Sequence, residues 1–587
     1  MRFFALHRKV IRIQGDQSTS LGMMRERLML LACVFAVLFL VIAVRIFDLG
    51  FSQGYLIHHG QLAETDIVTG GGDEIVRRGY IYDRNGVLLA TSIKVPALFA
   101  DPSLILEPEI VASELGEIFP DLDVAEAAEA MRGNNEYTPL VRPVSPEQQA
   151  RVLELGQPGL GFEYKYNRVY PNGDLVSHIV GYAGTDGHGM AGAELGQDEV
   201  LYKGENVYLS LDVRLQHALR RELSAAINEF KAIGAAGAVL DIETGEILAS
   251  VSLPDFDPNF LSHYKGEKDD SKKFNRMTQG VYELGSVFKV FSIAAYLDLK
   301  SSSLAREFDV REPLKIGRFR IKDYHPKKRD LSIPEIFIHS SNIGTALMAE
   351  DLGADNLKGF YKDLGLMNRL VTDIAGSAIP DLPDKWSRAA LLTVSYGHGI
   401  SVSPLQVLAA FSSVVNDGLV VKPSFMRGGA QDEEDVVRLV SKSTSEKTRK
   451  MLRLNALYGS AMSAEVSGFY VGGKTGTANK SGVGGYRKDA RISTFVGAFP
   501  MHDPKYAMII TVDEPRGHQG TYGYATAGWV SAPVFARMVK SMAVILGIQP
   551  DENPVAKQYS RDLEKFLHPD DLKKKKPVQR KPRLVSY

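Results

Sequence analysis

The sequence predicts a mixed α+β or α/β chain in three parts. A single N-terminal transmembrane helix comes first, then a mixed pedestal-like domain of short strands, then a larger domain whose antiparallel sheet is covered by helices. Three observations lead there. The run LMLLACVFAVLFLVIAV, residues 28–44, carries no charge and is just long enough to cross a bilayer. Residues 51 to about 205 are dense in glycine, turn signals and short apolar runs. From about 208 to 547, strand-like segments flank a helical middle.

The apolar run follows Arg2, Arg8, Lys9, Arg12, Arg25 and Arg27, set against Asp16 and Glu26. Positive charge stays on the cytoplasmic side. Residues 1–27 therefore read as a cytoplasmic tail, 28–49 as the anchor, and everything beyond as exterior. A cleaved signal peptide is the rival reading. The apolar run is long for one, and no small-residue cleavage site follows it. Cys33, the sole cysteine, lies inside the run. A disulfide scaffold and a cysteine-ligated zinc are excluded, and H-E-x-x-H is absent, so neither metal nor cofactor is expected. The cysteine-free exterior suits an oxidising compartment. The net charge of -1 gives no global sign of a nucleic-acid binder.

Within 51–205, two stretches carry the most constraint: RRGYIYDRNGVLLA (77–90) and RVYPNGDLVSHIVGYAGTDGHGMAGAEL (168–195). Most of their glycines read as turns. Arg78, Asp83, Arg168 and Glu194 read as structural residues, ion-paired where the two stretches meet, not as catalytic ones.

The third part, 208–547, begins with an apolar strand running into Asp212 and a helical repeat from Leu215. AAGAVLDIETGEILASVS (235–252) reads as two strands around a Glu-Thr-Gly turn. Helical patterns follow at AALLTVSY and PLQVLAAFSSVV. Strand character returns at FYVGGKTGTANK (469–480), ISTFVGAFP (492–500) and YAMIITVDEP (506–515). SAPVFARMVKSMAVILG (531–547) reads as the last helix. Between two of these strands, NKSGVGGYRKDAR (479–491) reads as a mobile loop, a flap beside the site. Residues 548–587, ending in KKKKPVQRKPRLVSY, read as a basic, disordered tail.

Candidate chemistry lies in ELGSVFKV, residues 283–290. Ser286 and Lys289 lie one turn apart on a helix, with an apolar run behind them. Gly285 permits a tight turn before the serine. A lysine in apolar surroundings has a lowered pKa and serves as base for a neighbouring hydroxyl. S-x-x-K alone is weak: about two are expected in a chain this long from average usage. Ser262 and Lys265 supply a second, among charges and with no apolar helix behind them. S-S-N occurs at Ser340 to Asn342 and K-T-G-T at Lys474 to Thr477. K-T-G is expected only about 0.2 times in such a chain. Singly, Ser340 reads as a helix cap and Lys474 as a surface lysine; the three motifs in this order outweigh those readings. The ordered set is a known signature of penicillin-binding proteins and class A β-lactamases.

Here the sequence resembles the monofunctional, class B penicillin-binding proteins of the cell-division, FtsI-like type. NRMTQGVYELGSVFK is similar to the family's nucleophile stretch, with Leu284 at its usual proline and Val287 at its usual threonine. RGYIYDRNG and R-x-Y-P-x-G…G-x-x-G-x-E resemble its pedestal motifs. SYGHGISVSPLQ and VGGKTGTANK resemble the division type more than the elongation type. No glycosyltransferase domain lies between anchor and pedestal.

The resemblance implies a serine β-lactamase-like transpeptidase fold and a non-catalytic dimerisation-type pedestal. It implies that Ser286 attacks a terminal D-Ala-D-Ala of a peptidoglycan stem peptide and that Lys289 takes its proton. Ser340 and Lys474 would relay protons, and Asn342 would hold substrate and Lys289. The backbone N–H groups of Ser286 and Thr477 would form the oxyanion hole. Thr475 and Thr477 would bind the terminal carboxylate, and Gly476 would leave room for the substrate as an added strand. β-Lactams would acylate Ser286. The implied setting is the inner membrane at the division site, with the catalytic domain periplasmic and an FtsW-like glycosyltransferase and other division proteins as partners. An elongation-type enzyme remains open, as does a β-lactamase or β-lactam receptor. No E-x-x-L-N deacylation motif lies between Asn342 and Lys474.

Overall fold

The structure, a computed structural model, describes residues 77–573 except 134, 265–271, 318, 430–436 and 483–484, together with 27, 29, 30, 33, 35–40 and 42. The described residues of the N-terminal group are helical, and Phe35, Leu38, Phe39 and Leu40 are exposed. Among the described residues no helix is long and apolar enough to cross a membrane. The rest of the expected anchor, Lys265 and residues 574–587 of the tail lie outside the described residues.

The region from residue 77 to about 205 is built on longer strands than its punctuated sequence suggests. β1 (Leu88–Ala100) is followed by helices α1 (Pro108–Ile118) and α2 (Val124–Met131), β2 (Thr138–Val141), α3 (Pro146–Glu154) and β3 (Leu160–Val169). β1 and β3 pair antiparallel from Thr91↔Val169 to Ala100↔Leu160, straight through Pro96. Long-range pairing here overrides local strand breakers. The helices cover the far end of the pair, where Val111, Leu115, Ile118, Met131 and Val152 pack against Leu98 and Ala100.

The larger domain starts at α4 (Val213–Phe230), whose Leu215, Leu219, Leu223 and Phe230 recur on one face. Asp212 caps it by accepting from Arg214 N–H. β4 (Gly234–Asp241) and β5 (Ile247–Leu253) form the expected pair around the Glu-Thr-Gly turn. The helical middle follows: α5 (Lys289–Leu299), α6 (Ile333–His339), α7 (Asn342–Leu352), α8 (Pro404–Val415) and α9 (Lys442–Tyr458). The sheet is completed by β6 (Gly472–Gly482), β7 (Gly485–Phe499) and β8 (Tyr506–Asp513), before α10 (Ser531–Leu546). Strand order is β6-β7-β8-β4-β5, antiparallel throughout. Neighbours on β8 show how both faces are used: Ile510 packs with α4 and α10, Ile509 with the helical middle. β6 is an edge strand.

Two expectations are corrected. The stretch 479–491 is no loop: β6 runs to Gly482, β7 begins at Gly485, and the pairing continues to Gly482↔Gly485 across one register shift. Tyr486 and Ala490, apolar residues among the charges, carry the strand onward, and Ala490 is buried. The stretch after 548 is not wholly a disordered tail. Residues 554–572 form α11 (Pro554–Gln558), a 3-10 turn (Arg561–Phe566) and α12 (Pro569–Leu572). Ala556, Leu563 and Leu567 are buried, the last two in the main core. Sparse apolar residues in a charged segment suffice when a groove in a larger domain receives them.

Candidate active site

Ser286 lies in a 3-10 turn, Gly285–Phe288, that leads into α5. Residues three apart eclipse in such a turn, which stacks Ser286 over Lys289 more directly than an α-helix would. Gly285 has φ +55, in the left-handed region, and a Cβ there would meet Thr477 O at 3.0 Å. The turn at Gly285, just before Ser286, is therefore pressed against the K-T-G-T strand at Thr477.

α5 is buried nearly all round, and Lys289, its first residue, is fully buried. Its ammonium donates to Ser340 O at 2.5 Å, Ser340 Oγ at 3.0 Å and Asn342 Oδ1 at 2.7 Å. No hydrogen bond joins it to Ser286 among the described residues. Lys474, also fully buried, donates to the same Ser340 Oγ at 3.0 Å. One hydroxyl thus sits between two desolvated lysines. Burial holds Lys289 well below the usual lysine range, and the neighbouring Lys474 charge adds to this. Burial alone brings Lys474 down to about 7.

The S-S-N segment is the hinge between α6 and α7. Ser340 ends α6 in a left-handed conformation, φ 55. Ser341 caps α7 by accepting from Gly344 N–H. A non-glycine residue at positive φ is a strained position and a frequent mark of function. Asp323, which the sequence did not single out, holds this hinge. It accepts from Asn342 N–H at 2.6 Å, Ile343 N–H at 3.0 Å and Ser341 Oγ–H at 2.6 Å. Asn342 Nδ2 donates to Lys322 O, which turns its Oδ1 toward Lys289.

The K-T-G-T strand behaves differently from expectation at two residues. A Cβ on Gly476 would lie 2.1 Å from Leu284 O and 2.8 Å from Val287 Cγ2. Its bareness accommodates the turn that carries Ser286, not room for a substrate. Thr475 and Thr477 were expected to act alike. Thr475 is 8% exposed and its hydroxyl pairs with Ser460 at 2.6 Å. Thr477 is half-buried and accepts from Ala527 N–H at 3.1 Å. Tyr522, Tyr524 and Trp529 flank Ala527 in the chain, with the Tyr524 and Trp529 rings stacked 6.0 Å apart. The β6–β7 hairpin is clipped to the nucleophile segment: Glu283 accepts from Tyr486 OH at 2.8 Å and Gly399 N–H at 2.9 Å, and contacts His398 at 3.1 Å. No periodicity in the sequence signals these contacts.

Residues 235–540 match the family described as penicillin binding protein transpeptidase domain, and 74–208 match penicillin-binding protein dimerisation domain. The chain belongs to the penicillin-binding protein transpeptidase family. It is a class B penicillin-binding protein and, by its catalytic domain, a D,D-transpeptidase. It is 36% identical to a probable peptidoglycan D,D-transpeptidase FtsI of Caulobacter vibrioides, over 80% of this chain and 82% of that one. It is 31% identical to a probable peptidoglycan D,D-transpeptidase PenA of Neisseria gonorrhoeae, over 81% and 85%. Among solved structures it resembles penicillin binding protein 3 of Mycobacterium tuberculosis complexed with aztreonam. That likeness has TM-score 0.63 and 25% identity, covering 81% of this chain and 98% of the other.

In the pedestal of this penicillin-binding protein, Glu194 is fully buried between two arginines, Arg78 Nε at 2.6 Å and Arg168 Nε at 2.7 Å. Arg78 also reaches Asp198 at 2.6 Å. The expected cluster therefore forms with Asp198 in it and without Asp83. Asp83 instead accepts from the backbone N–H groups of Asn85, Val87 and Val213, the last at the start of α4. Its acidity serves a turn and a helix start, where backbone donors otherwise lack partners.

Proposed function

We propose that this class B penicillin-binding protein cross-links peptidoglycan stem peptides through an acyl-enzyme on Ser286, and that it works at the division septum. The observation that carries the reading is the pair of fully buried lysines sharing Ser340 Oγ beside the Ser286 turn. A neutral Lys289 has two N–H donors and one lone pair. Ser340 O and Asn342 Oδ1 can only accept, so they hold the two N–H groups and leave the lone pair for a hydroxyl proton. As Lys289 takes the Ser286 proton, Oγ attacks the carbonyl of the penultimate D-alanine. The developing oxyanion lies against the N–H groups of Ser286 and Thr477. The C–N bond then breaks, and the D-alanine amine leaves with a proton delivered through Ser340 and Lys474. Thr477, the more accessible of the two threonines, receives the terminal carboxylate. An amine of a second stem peptide attacks the ester, forms the cross-link and returns the proton to Ser286. β-Lactams acylate the same serine and stall there.

The edge position of β6 supports binding of the peptide as an added strand. The exposed helical apolar residues between 29 and 42, with six basic residues before them, support an inner-membrane anchor with a cytoplasmic N-terminus and a periplasmic catalytic domain. The FtsI relative supports the septal assignment; an FtsW-like glycosyltransferase is the membrane partner proposed with it. The test is labelling with a fluorescent penicillin, peptide mapping of the modified serine, and imaging of the label in dividing cells. Ser286→Ala abolishes labelling and Ser262→Ala leaves it intact. Labelling that survives Ser286→Ala refutes the site. Side-wall in place of mid-cell label assigns the elongation role, and an acyl-enzyme that hydrolyses within seconds assigns a β-lactamase.

A further inference from the structure

The ordered segment at 554–572 lies beyond the residues that match the transpeptidase family, yet it reaches the back of the active site. Its last helix, α12, carries Asp571, whose side chain is 9% exposed. One oxygen of Asp571 pairs with Lys327 at 3.1 Å. The other pairs with Arg329 at 3.0 Å and meets His339 Nε2 at 2.9 Å. His339 is the last residue of α6, next to Ser340. Arg329 pairs onward with Glu335 of α6 at 2.7 Å, and Glu335 accepts from His568 N–H at 2.9 Å. Ser332, the cap of α6, donates to Phe566 O at 2.7 Å. Both ends of α6 are thus tied to the segment.

The other side of Ser340 is tied as well. Lys327 and Arg329 follow closely on Asp323, which holds Ser341, Asn342 and Ile343. The stretch 323–329 is therefore fastened to the S-S-N hinge at one end and to Asp571 at the other. Ser340 sits in a left-handed conformation that its own residue type disfavours, so surrounding contacts must hold it there. Its Oγ must stay within reach of two lysines on different elements.

We propose that Asp571 is a positioning residue: through His339 and the Lys327–Arg329 stretch, the C-terminal strap holds the Ser340 hydroxyl midway between Lys289 and Lys474. The inference rests on the acyl-transfer reading above. Asp571 touches neither substrate nor Ser286; it acts on the step that moves protons through Ser340. Losing it leaves penicillin docking intact and slows acylation. The strap's remote ties, such as Lys450 to Asp562 at 2.9 Å, add attachment without aiming Ser340.

The test is rapid-mixing acylation of the purified full-length enzyme by a chromogenic β-lactam, which separates non-covalent affinity from the acylation rate constant. Melting temperature is recorded for every variant, and kinetics are run well below it. Asp571→Ala is expected to lower the acylation rate constant about tenfold or more, the scale of a misplaced catalytic group, with affinity unchanged. Asp571→Glu restores part of the rate. Asp571→Asn, isosteric and able to keep one polar contact, shows the same loss in smaller degree. Lys450→Met, which loosens the strap elsewhere, leaves the rate constant at the wild-type value. The proposal is overturned if Asp571→Asn and Asp571→Ala acylate as wild type does, or if Lys450→Met slows acylation as much as they do. A wild-type enzyme that is not acylated at Ser286 refutes the functional reading itself; a normal wild type beside unaffected Asp571 variants refutes only the strap.

Discussion

Lys474 shows what the active site costs the fold. An ordinary lysine titrates near 10.5, and burial brings this one to about 7. Between those values the unfolded chain holds a proton that the folded chain has released. Folding is therefore penalised fully below about pH 7; the penalty fades as pH rises from there and is gone above the unfolded value. Lys474→Met removes it. The variant is expected to melt higher than wild type, with the gain largest below pH 7 and shrinking toward pH 10, while acylation collapses. Melting curves across that range check the sign; a gain that does not vary with pH would mean that Lys474 stays charged in the fold. Full burial is what separates Lys474 from a surface lysine. The motif made the residue visible in the sequence. Its burial did not follow from the motif, because Phe337, which faces its ammonium from 5.9 Å, lies far away along the chain.

At the scale of elements, the Ser286 turn and β6 act as one part. Gly476 has no room for a Cβ, since Leu284 O lies 2.1 Å from where it would sit. Backbone cannot yield as a flexible side chain can. Gly476→Ala is expected to displace the Ser286 turn and cut the acylation rate by ~10² or more, with circular dichroism unchanged. Wild-type acylation would mean that the turn and strand move independently. The β6–β7 hairpin makes a second point. Its strands stay paired to Gly482↔Gly485, and Tyr486 is bonded to Glu283. Amides of 485–491 are therefore expected to exchange slowly before any acylation, with little further slowing afterwards. Rapid exchange in the free enzyme would restore the flap that the glycines and charges of this stretch suggest. The sequence misleads here because composition reports solvent exposure, and an exposed hairpin shares that composition with a loop.

In the whole molecule, the pedestal cluster joins segments more than a hundred residues apart. Arg78→Glu would set a third carboxylate against Glu194 and Asp198, where Arg78 now pairs with both at 2.6 Å. Breaking a buried pair of this kind costs ~3–5 kcal/mol locally. The transpeptidase core does not draw on those contacts for its own sheet, so it is expected to keep penicillin labelling. Under the proposed septal role, the variant is expected to fail to support division, through lost coupling to the proposed membrane partner. Complementation of a depleted strain, with labelling of the same cells, checks this. Normal division, or labelling lost together with function, would reduce the cluster to a structural one.

The sequence by itself determined the chemistry and the frame. Ordered S-x-x-K, S-x-N and K-T-G-T motifs named the groups proposed to react, and apolar periodicity placed the strands at 235–252, 492–500 and 506–515 and the helix at 531–547. Both are local signals, legible within one turn or one strand. Tertiary structure decided the neighbours. It gave Gly476 to the nucleophile turn, paired Thr475 with Ser460, put Asp198 in place of Asp83 in the pedestal cluster, and folded 554–572 behind Ser340. Periodicity states which face of an element is buried and is silent on what covers it. Ser340 meets Lys474 across 134 positions, and Asp571 meets His339 across 232. Such partners are chosen by strand register and by the packing of helices on the sheet, and neither is written in any one segment.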